Sequence, residues 1–185
     1  MSGVDFLNPA HAVALAGVAE GMKVADFDAG AGFFTRAAAR AVGPGGVVWA
    51  SDPRRELLLR IKGLAVAEGL HNVEIIQGDA EKDCGTKLPD GAFDFCIVAN
   101  VLFAAERRDA LAREAARVLK NGGKALVIDW RGSFGGLGPA ESHIIEAAQA
   151  KRTFEQAHFN FEKEIQTGGY HWGLVFRKKS AQAAQ

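Results

Sequence analysis

Short runs of β-branched and aromatic residues alternate along the chain with longer alanine-rich or charged stretches, the pattern of repeated βα units that build a parallel sheet. Asn8-Pro9 reads as an N-cap followed by proline in a first helical turn, and Gly17 can stop that helix in a left-handed cap. A buried strand is predicted over Val24–Phe27, broken by Gly30-Ala31-Gly32. An alanine-rich helix follows over Phe33–Ala41 and ends at Gly43-Pro44-Gly45-Gly46. The second strand is Val47–Ser51. After Pro53, Leu57, Leu58, Ile61, Leu64 and Ala65 form an apolar stripe at helical spacing.

Val73–Gln77 and Phe93–Ala99 read as the third and fourth strands, with turn chemistry at Leu88-Pro89-Asp90-Gly91 between them. A helix is expected from about Arg107 to Lys120, closed by Asn121-Gly122-Gly123, before a fifth strand over Lys124–Asp129. The stretch from Arg131 to Ala140 holds four glycines and a proline and is expected to be a mobile loop. A further helix runs to about Ala157. Phe161–Thr167 and Tyr170–Lys178 then flank Gly168-Gly169 as an antiparallel hairpin. With 185 residues and 48% hydrophobic content the whole chain is expected to form one domain, ordered over about residues 5–178 with a flexible tail at 179–185.

Charge narrows the functional classes. The 22 basic and 22 acidic residues cancel, and neither half of the chain is strongly polarised, so a phosphate-driven nucleic-acid partner is not indicated. No apolar run reaches membrane-spanning length and no basic segment leads into an apolar signal core, so a cytoplasmic protein without a membrane partner is expected. Cys84 and Cys96 stand apart from any Cys/His cluster, so neither a disulfide framework nor a metal site is expected.

In an open parallel sheet, ligands gather beyond the carboxyl ends of the strands, where strand order reverses. The residues to weigh are therefore Asp28–Gly32, Asp52, Gly78-Asp79-Ala80, Asn100, Asp129-Trp130 and the hairpin tip Gly168–His171. A carboxylate at Asp52 can accept from two vicinal ribose hydroxyls, or it can cap the helix that begins near Pro53. Asp79 can receive an exocyclic adenine amine or be a turn aspartate. A dinucleotide would bring its pyrophosphate against Asp26 and Asp28, which repel it, and its fingerprint asks for Gly or Ala where this chain has Thr35. A cationic nucleoside such as S-adenosylmethionine suits that acidic loop.

The run Val24-Ala-Asp-Phe-Asp-Ala-Gly-Ala-Gly32 followed by Phe33-Phe34-Thr35 resembles the first motif of the class I S-adenosylmethionine-dependent methyltransferases. Trp49-Ala-Ser-Asp52, Gln77-Gly-Asp-Ala80, the stretch from Leu88 through Asn100, and Val118-Leu-Lys-Asn-Gly-Gly123 resemble the later motifs in order, over about residues 5–178. The resemblance is closest to small bacterial methyltransferases without an added substrate domain. It implies an α/β Rossmann-like fold with a seven-stranded sheet of order 3-2-1-4-5-7-6, strand seven antiparallel and helices on both faces. It also implies methyl transfer from S-adenosylmethionine, leaving S-adenosylhomocysteine, to a small-molecule acceptor. The cofactor contacts expected are Asp26, Asp28, Ala29, Gly30, Gly32, Asp52, Pro53, Gly78, Asp79, Ala80 and Asn100.

The family pattern carries glycine where this chain has Asp28. That departure motivates an alternative, a methyltransferase-like module with impaired cofactor binding and an interaction or regulatory role. A nucleotide-dependent oxidoreductase is disfavoured by Thr35 and by the absence of a Tyr-x-x-x-Lys pair. Asn100 is followed by Val101-Leu102 and not by the Pro-Pro-aromatic sequence of enzymes that methylate base amines. A general base is needed only for an acceptor protonated at working pH. His171, Tyr170, His143 and Asp129 are the candidates by position, and Trp130, Phe103 and Phe134 are candidate walls of an acceptor pocket.

Overall fold

In the computed structural model, which describes residues 6–180, the elements run α1 (Pro9–Ala16), β1 (Lys23–Phe27), α2 (Phe33–Val42), β2 (Val47–Asp52), α3 (Arg55–Ala67), β3 (Val73–Gln77), β4 (Phe93–Ala99), α4 (Arg108–Val118), β5 (Leu119–Trp130), α5 (Ala147–Gln156), β6 (Phe159–Ile165) and β7 (His171–Lys178). They form a seven-stranded sheet of order β3-β2-β1-β4-β5-β7-β6, the Rossmann-like order expected. Strands β1 to β5 pair in parallel, while β7 runs antiparallel to both β5 and β6. No helix among the described residues is long and apolar enough to cross a membrane.

The central strands are apolar on both faces, and the two-residue period of a strand splits them between two cores. Ala25, Phe27, Cys96, Val98, Ala125 and Val127 pack with Leu111, Ala115 and Phe154 from α4 and α5. Their neighbours Val24, Phe95, Ile97, Leu126 and Ile128 pack with Val13, Ala38, Leu58 and Ile61 from α1, α2 and α3. The helices therefore cover opposite faces, and the carboxyl ends of β1, β2, β4 and β5 share one edge. Because β7 is reversed, its first residue lies at that same edge, with His171 in register opposite Trp130.

Beyond shifts of one or two residues at element ends, three readings differ from expectation. Helix α4 ends at Val118 and Leu119 is already extended, because its fully buried side chain pairs beside Phe93. The pairing then jumps from Phe93–Leu119 to Phe95–Lys124, so Asn121-Gly122-Gly123 is an irregularity inside β5 and does not cap the helix. The hairpin connection is wider than Gly168-Gly169. Strand β6 ends at Ile165 opposite Gly173, and Thr167 turns back to donate its hydroxyl to the His171 carbonyl at 2.9 Å. In the glycine-rich stretch, Phe134 and Leu137 exchange backbone hydrogen bonds of 3.0 Å each way, so it holds a compact turn. Of the expected tail, Lys179 donates to the His158 carbonyl at 2.8 Å, and 181–185 lie outside the described residues.

Candidate functional site

A cavity of about 550 Å³ opens at the carboxyl edge of the sheet, between β1, β4 and β5. One side is polar and is made by the loop after β1. Asp26, Asp28, Ala29, Gly30 and Ala31 line it, with Arg54 from the end of β2. The other side is largely apolar and is made by Phe6, Leu7, Phe33, Phe34 and Trp130, with His171 and Asn100 between the two.

The loop is held from several directions. Gly30 N–H donates to Asp52 Oδ2 at 3.0 Å, and Ala29 N–H to the Ser51 carbonyl at 3.1 Å. Arg36 Nη1 donates to the carbonyls of Ala31 and Gly32, while its Nε pairs with Glu68 at 3.0 Å. Gly32 begins α2 at φ 72°, and a Cβ there would come within 2.6 Å of Ile61, so both conformation and packing require glycine. Asp28 adopts φ 48°. The chain thus places a carboxylate at the cavity wall in a left-handed conformation that aspartate tolerates better than most residues.

The acidic groups here are far from their ordinary state. Asp26 is buried and accepts from Thr35 Oγ1 at 2.6 Å. Burial, reinforced by the neighbouring carboxylates Asp28 and Asp52, pushes it up to about 7. Asp28 is likewise pushed up to about 7, by burial first and then by Asp52, Asp79 and Glu81. Asp52 behaves oppositely. It is fully buried, yet Arg54 holds it below the usual carboxylate range through side-chain and backbone hydrogen bonds. Oδ1 accepts from Arg54 N–H and Nε, each at 2.9 Å, and Oδ2 from Arg54 Nη2 at 2.9 Å as well as from Gly30. All four acceptor directions of the carboxylate are therefore used.

The other expected contacts divide. Asp26, Asp28, Ala29, Gly30 and Asn100 line the cavity; Gly32, Asp52, Pro53, Gly78, Asp79 and Ala80 do not. Asp52 is not the solvated helix cap either, since α3 begins at Arg55 after Arg54, with no side-chain cap. Asp79 Oδ1 accepts from Glu81 N–H, and its Oδ2 pairs with Lys82. Pro53 is exposed, its carbonyl receiving Gln77 Nε2, and a Cβ on Gly78 would collide with the Gly85–Thr86 backbone.

Of the four candidate bases, the structure brings His171 alone into the cavity lining. Asp129 is fully buried, and its carboxylate receives the N–H groups of Phe103 and Trp130. His143 is exposed in a short 3-10 turn. Tyr170 packs against Phe6 and Phe134, with ring centroids 5.0 and 4.8 Å away, outside the lining. Of the expected aromatic walls, Trp130 contributes and Phe103 and Phe134 do not, while Phe6, Phe33 and Phe34 are contributors that were missed. The signal for the last two was their place directly after the glycine loop. Phe6 carries no local signal, because only the packing of the N-terminal segment brings it over the sheet edge.

A sheet of this order, with a glycine loop after β1 and carboxylates at the ends of β1 and β2, defines the class I S-adenosylmethionine-dependent methyltransferase fold. The profile of the methyltransferase domain family matches residues 25–127, and the chain belongs to that family. It is 34% identical over 129 residues to a ubiquinone/menaquinone biosynthesis C-methyltransferase of Pseudomonas paraeruginosa, an alignment covering 69% of this chain and 49% of that protein. The corresponding protein of Burkholderia vietnamiensis is 36% identical over 121 residues, 65% of this chain and 48% of that one. The chain spans about half the length of these curated relatives. A SAM-dependent methyltransferase from Aquifex aeolicus has a solved structure that superposes with a TM-score of 0.84 at 26% identity, covering 93% of this chain and 90% of that one. The YcgJ protein of Bacillus subtilis shares the fold at 17% identity, with a TM-score of 0.75 and coverage of 92% and 99%.

Family and fold imply S-adenosylmethionine as the cofactor. The residues present fit it. Two carboxylates line the cavity and complement the charge of a cationic ligand, and the Asn100 Oδ1 acceptor is buried without a partner. The Arg54 Nε and Nη2 donors occupy one acceptor position on each oxygen of Asp52.

Proposed function

We propose that this domain transfers a methyl group from S-adenosylmethionine to a small-molecule acceptor by in-line displacement. The observation that carries the reading is the pair of carboxylates Asp26 and Asp28 lining one cavity, with Asp52 bonded to the Gly30 N–H of the loop after β1, beside the unpartnered Asn100 oxygen. When bound, the cofactor supplies a methyl carbon already activated by a sulfonium. Asp28, assisted by Asp26, holds positive charge at the glycine loop, and Asp52 accepts ribose hydroxyls once the Arg54 fork swings out. Asn100 Oδ1 receives a donor at the end of β4. Phe33, Phe34 and Trp130 wall the cavity against water, so that alignment, worth up to about 7–11 kcal/mol in favourable intramolecular models, is the protein's main contribution. A small acceptor is favoured by the modest volume of the cavity and by the absence of surplus positive charge that would recruit a polyanion.

Arg54 also supports a second reading, a module that binds the cofactor weakly, because its guanidinium must leave Asp52 before a ribose can dock. Calorimetric titration with S-adenosylmethionine, S-adenosylhomocysteine and NAD separates these possibilities. Binding of the first two, with turnover of a small acceptor, supports the enzyme. Binding of NAD alone sinks the methyltransferase reading, and no binding of any of the three favours the non-catalytic module.

A further inference from the structure

His171 is 4% exposed, lines the cavity, and has no hydrogen-bond partner at either Nδ1 or Nε2. A buried polar group without a partner carries a desolvation cost, so one kept at the wall of a ligand cavity asks for a partner from outside the chain. The position is held firmly. The His171 carbonyl accepts from Thr167 Oγ1 at 2.9 Å and from Arg131 Nη2 and Nε at 3.2 and 3.3 Å, while the ring lies against Trp130 with centroids 4.2 Å apart. A Cβ on Gly138 would come within 2.7 Å of the Trp130 indole, so the glycine-rich stretch also packs closely on it. The imidazole is thus a fixed acceptor and donor beside a fixed flat wall.

We propose that His171 and Trp130 form the acceptor end of the cavity, taking an uncharged flat ring whose hydroxyl donates to a His171 ring nitrogen while the ring packs along Trp130 and the neighbouring phenylalanines. This rests on the methyltransferase reading and names its substrate class. The charge of the occupant follows from the surroundings. Asp26 and Asp28, which line the same cavity, disfavour an anion. Burial alone pushes His171 down to about 4, and the same desolvation disfavours an ammonium beside it. A neutral hydroxyl satisfies the imidazole without either cost.

The test uses the full chain and three probes of one skeleton, 2-naphthol, 2-methoxynaphthalene and naphthalene-2-sulfonate, titrated calorimetrically with and without saturating S-adenosylhomocysteine. The expected result is that 2-naphthol binds at least about tenfold tighter than its methyl ether, the order of one good hydrogen bond, and that the sulfonate does not bind. His171→Phe should keep affinity for the ether and erase the advantage of the naphthol, and His171→Gln should restore part of it through the amide oxygen. Equal binding of naphthol and ether to the wild-type protein, tighter binding of the sulfonate, or no binding of any probe overturns the proposal without needing a variant to fold. An unchanged naphthol preference in folded His171→Phe also overturns it. Failure of S-adenosylhomocysteine to bind counts against the methyltransferase reading, while the naphthol comparison without it still decides the subsite.

Discussion

Arg54 grips the Asp52 carboxylate with a two-pronged fork, Nε to Oδ1 and Nη2 to Oδ2, both at 2.9 Å. The arginine side chain is 55% exposed and the carboxylate fully buried, so the guanidinium is the half of the pair that can leave. Two vicinal hydroxyls have the same donor count as that fork. On the proposed reading Arg54 competes with the ribose, and Arg54→Met, which keeps an apolar stem, should tighten S-adenosylhomocysteine by up to roughly fivefold, the order expected for displacing a half-exposed ion pair. Calorimetry reads this directly. A weakening would instead make Arg54 a contact of the bound cofactor.

Asp52→Ala should weaken cofactor binding by about 2–4 kcal/mol through the loss of two charge-assisted hydrogen bonds. It should also cost stability, since Gly30 N–H and the Arg54 backbone N–H lose their acceptor. A fall in melting temperature of the unliganded protein is the check on that second effect. Unchanged affinity in a folded variant would remove Asp52 from the site.

The strands and the acidic loop were legible because both depend on local sequence: buried β-branched runs, glycines where the chain must reverse, carboxylates just after strands. The order of the strands in the sheet came from the family resemblance alone. What escaped was long-range. Arg54 and Asp52 are two residues apart, yet Asp52 is also tied to the Gly30 N–H in the loop after another strand, a contact that no local pattern announces. Leu119 looked like the last turn of a helix, and only the exposed backbone of β4 beside it makes extension favourable. Asp129 stands at a strand end like the cofactor-facing aspartates, but the Leu102–Phe103 turn folds back and spends its carboxylate on backbone N–H groups. Phe6 and His171 meet one cavity from opposite ends of the chain.

Asp28 combines an uncommon backbone conformation with a crowded carboxylate. Asp28→Gly relieves both, so the unliganded protein should gain about 1 kcal/mol of stability. The same change removes a negative charge from the wall that faces a cationic ligand. S-adenosylmethionine should then bind less tightly, with a larger loss at low salt because such pairing is screened. Melting curves and titrations at two salt concentrations check the pair of effects. A variant both more stable and tighter in binding would show that the side chain only obstructs.

Raised carboxylate values at Asp26 and Asp28 give the free protein an inverted pH dependence. A carboxylate whose folded value, about 7, exceeds its unfolded value, 3.8, contributes stability that is fully present below 3.8 and is lost as pH rises through 7. His171, lowered to about 4 by burial, acts oppositely, adding stability as pH rises from 4 to about 6.5. The window from pH 6.5 to 8 therefore isolates the aspartates, and the melting temperature of the unliganded protein should fall across it, less steeply in Asp28→Asn. A cationic ligand needs those carboxylates ionised, so binding the sulfonium cation S-adenosylmethionine at pH 6.5 should release protons. Calorimetry in two buffers of different ionisation enthalpy measures that release. It should shrink in Asp28→Asn, and a release identical in the variant would mean that Asp28 stays protonated when the ligand binds.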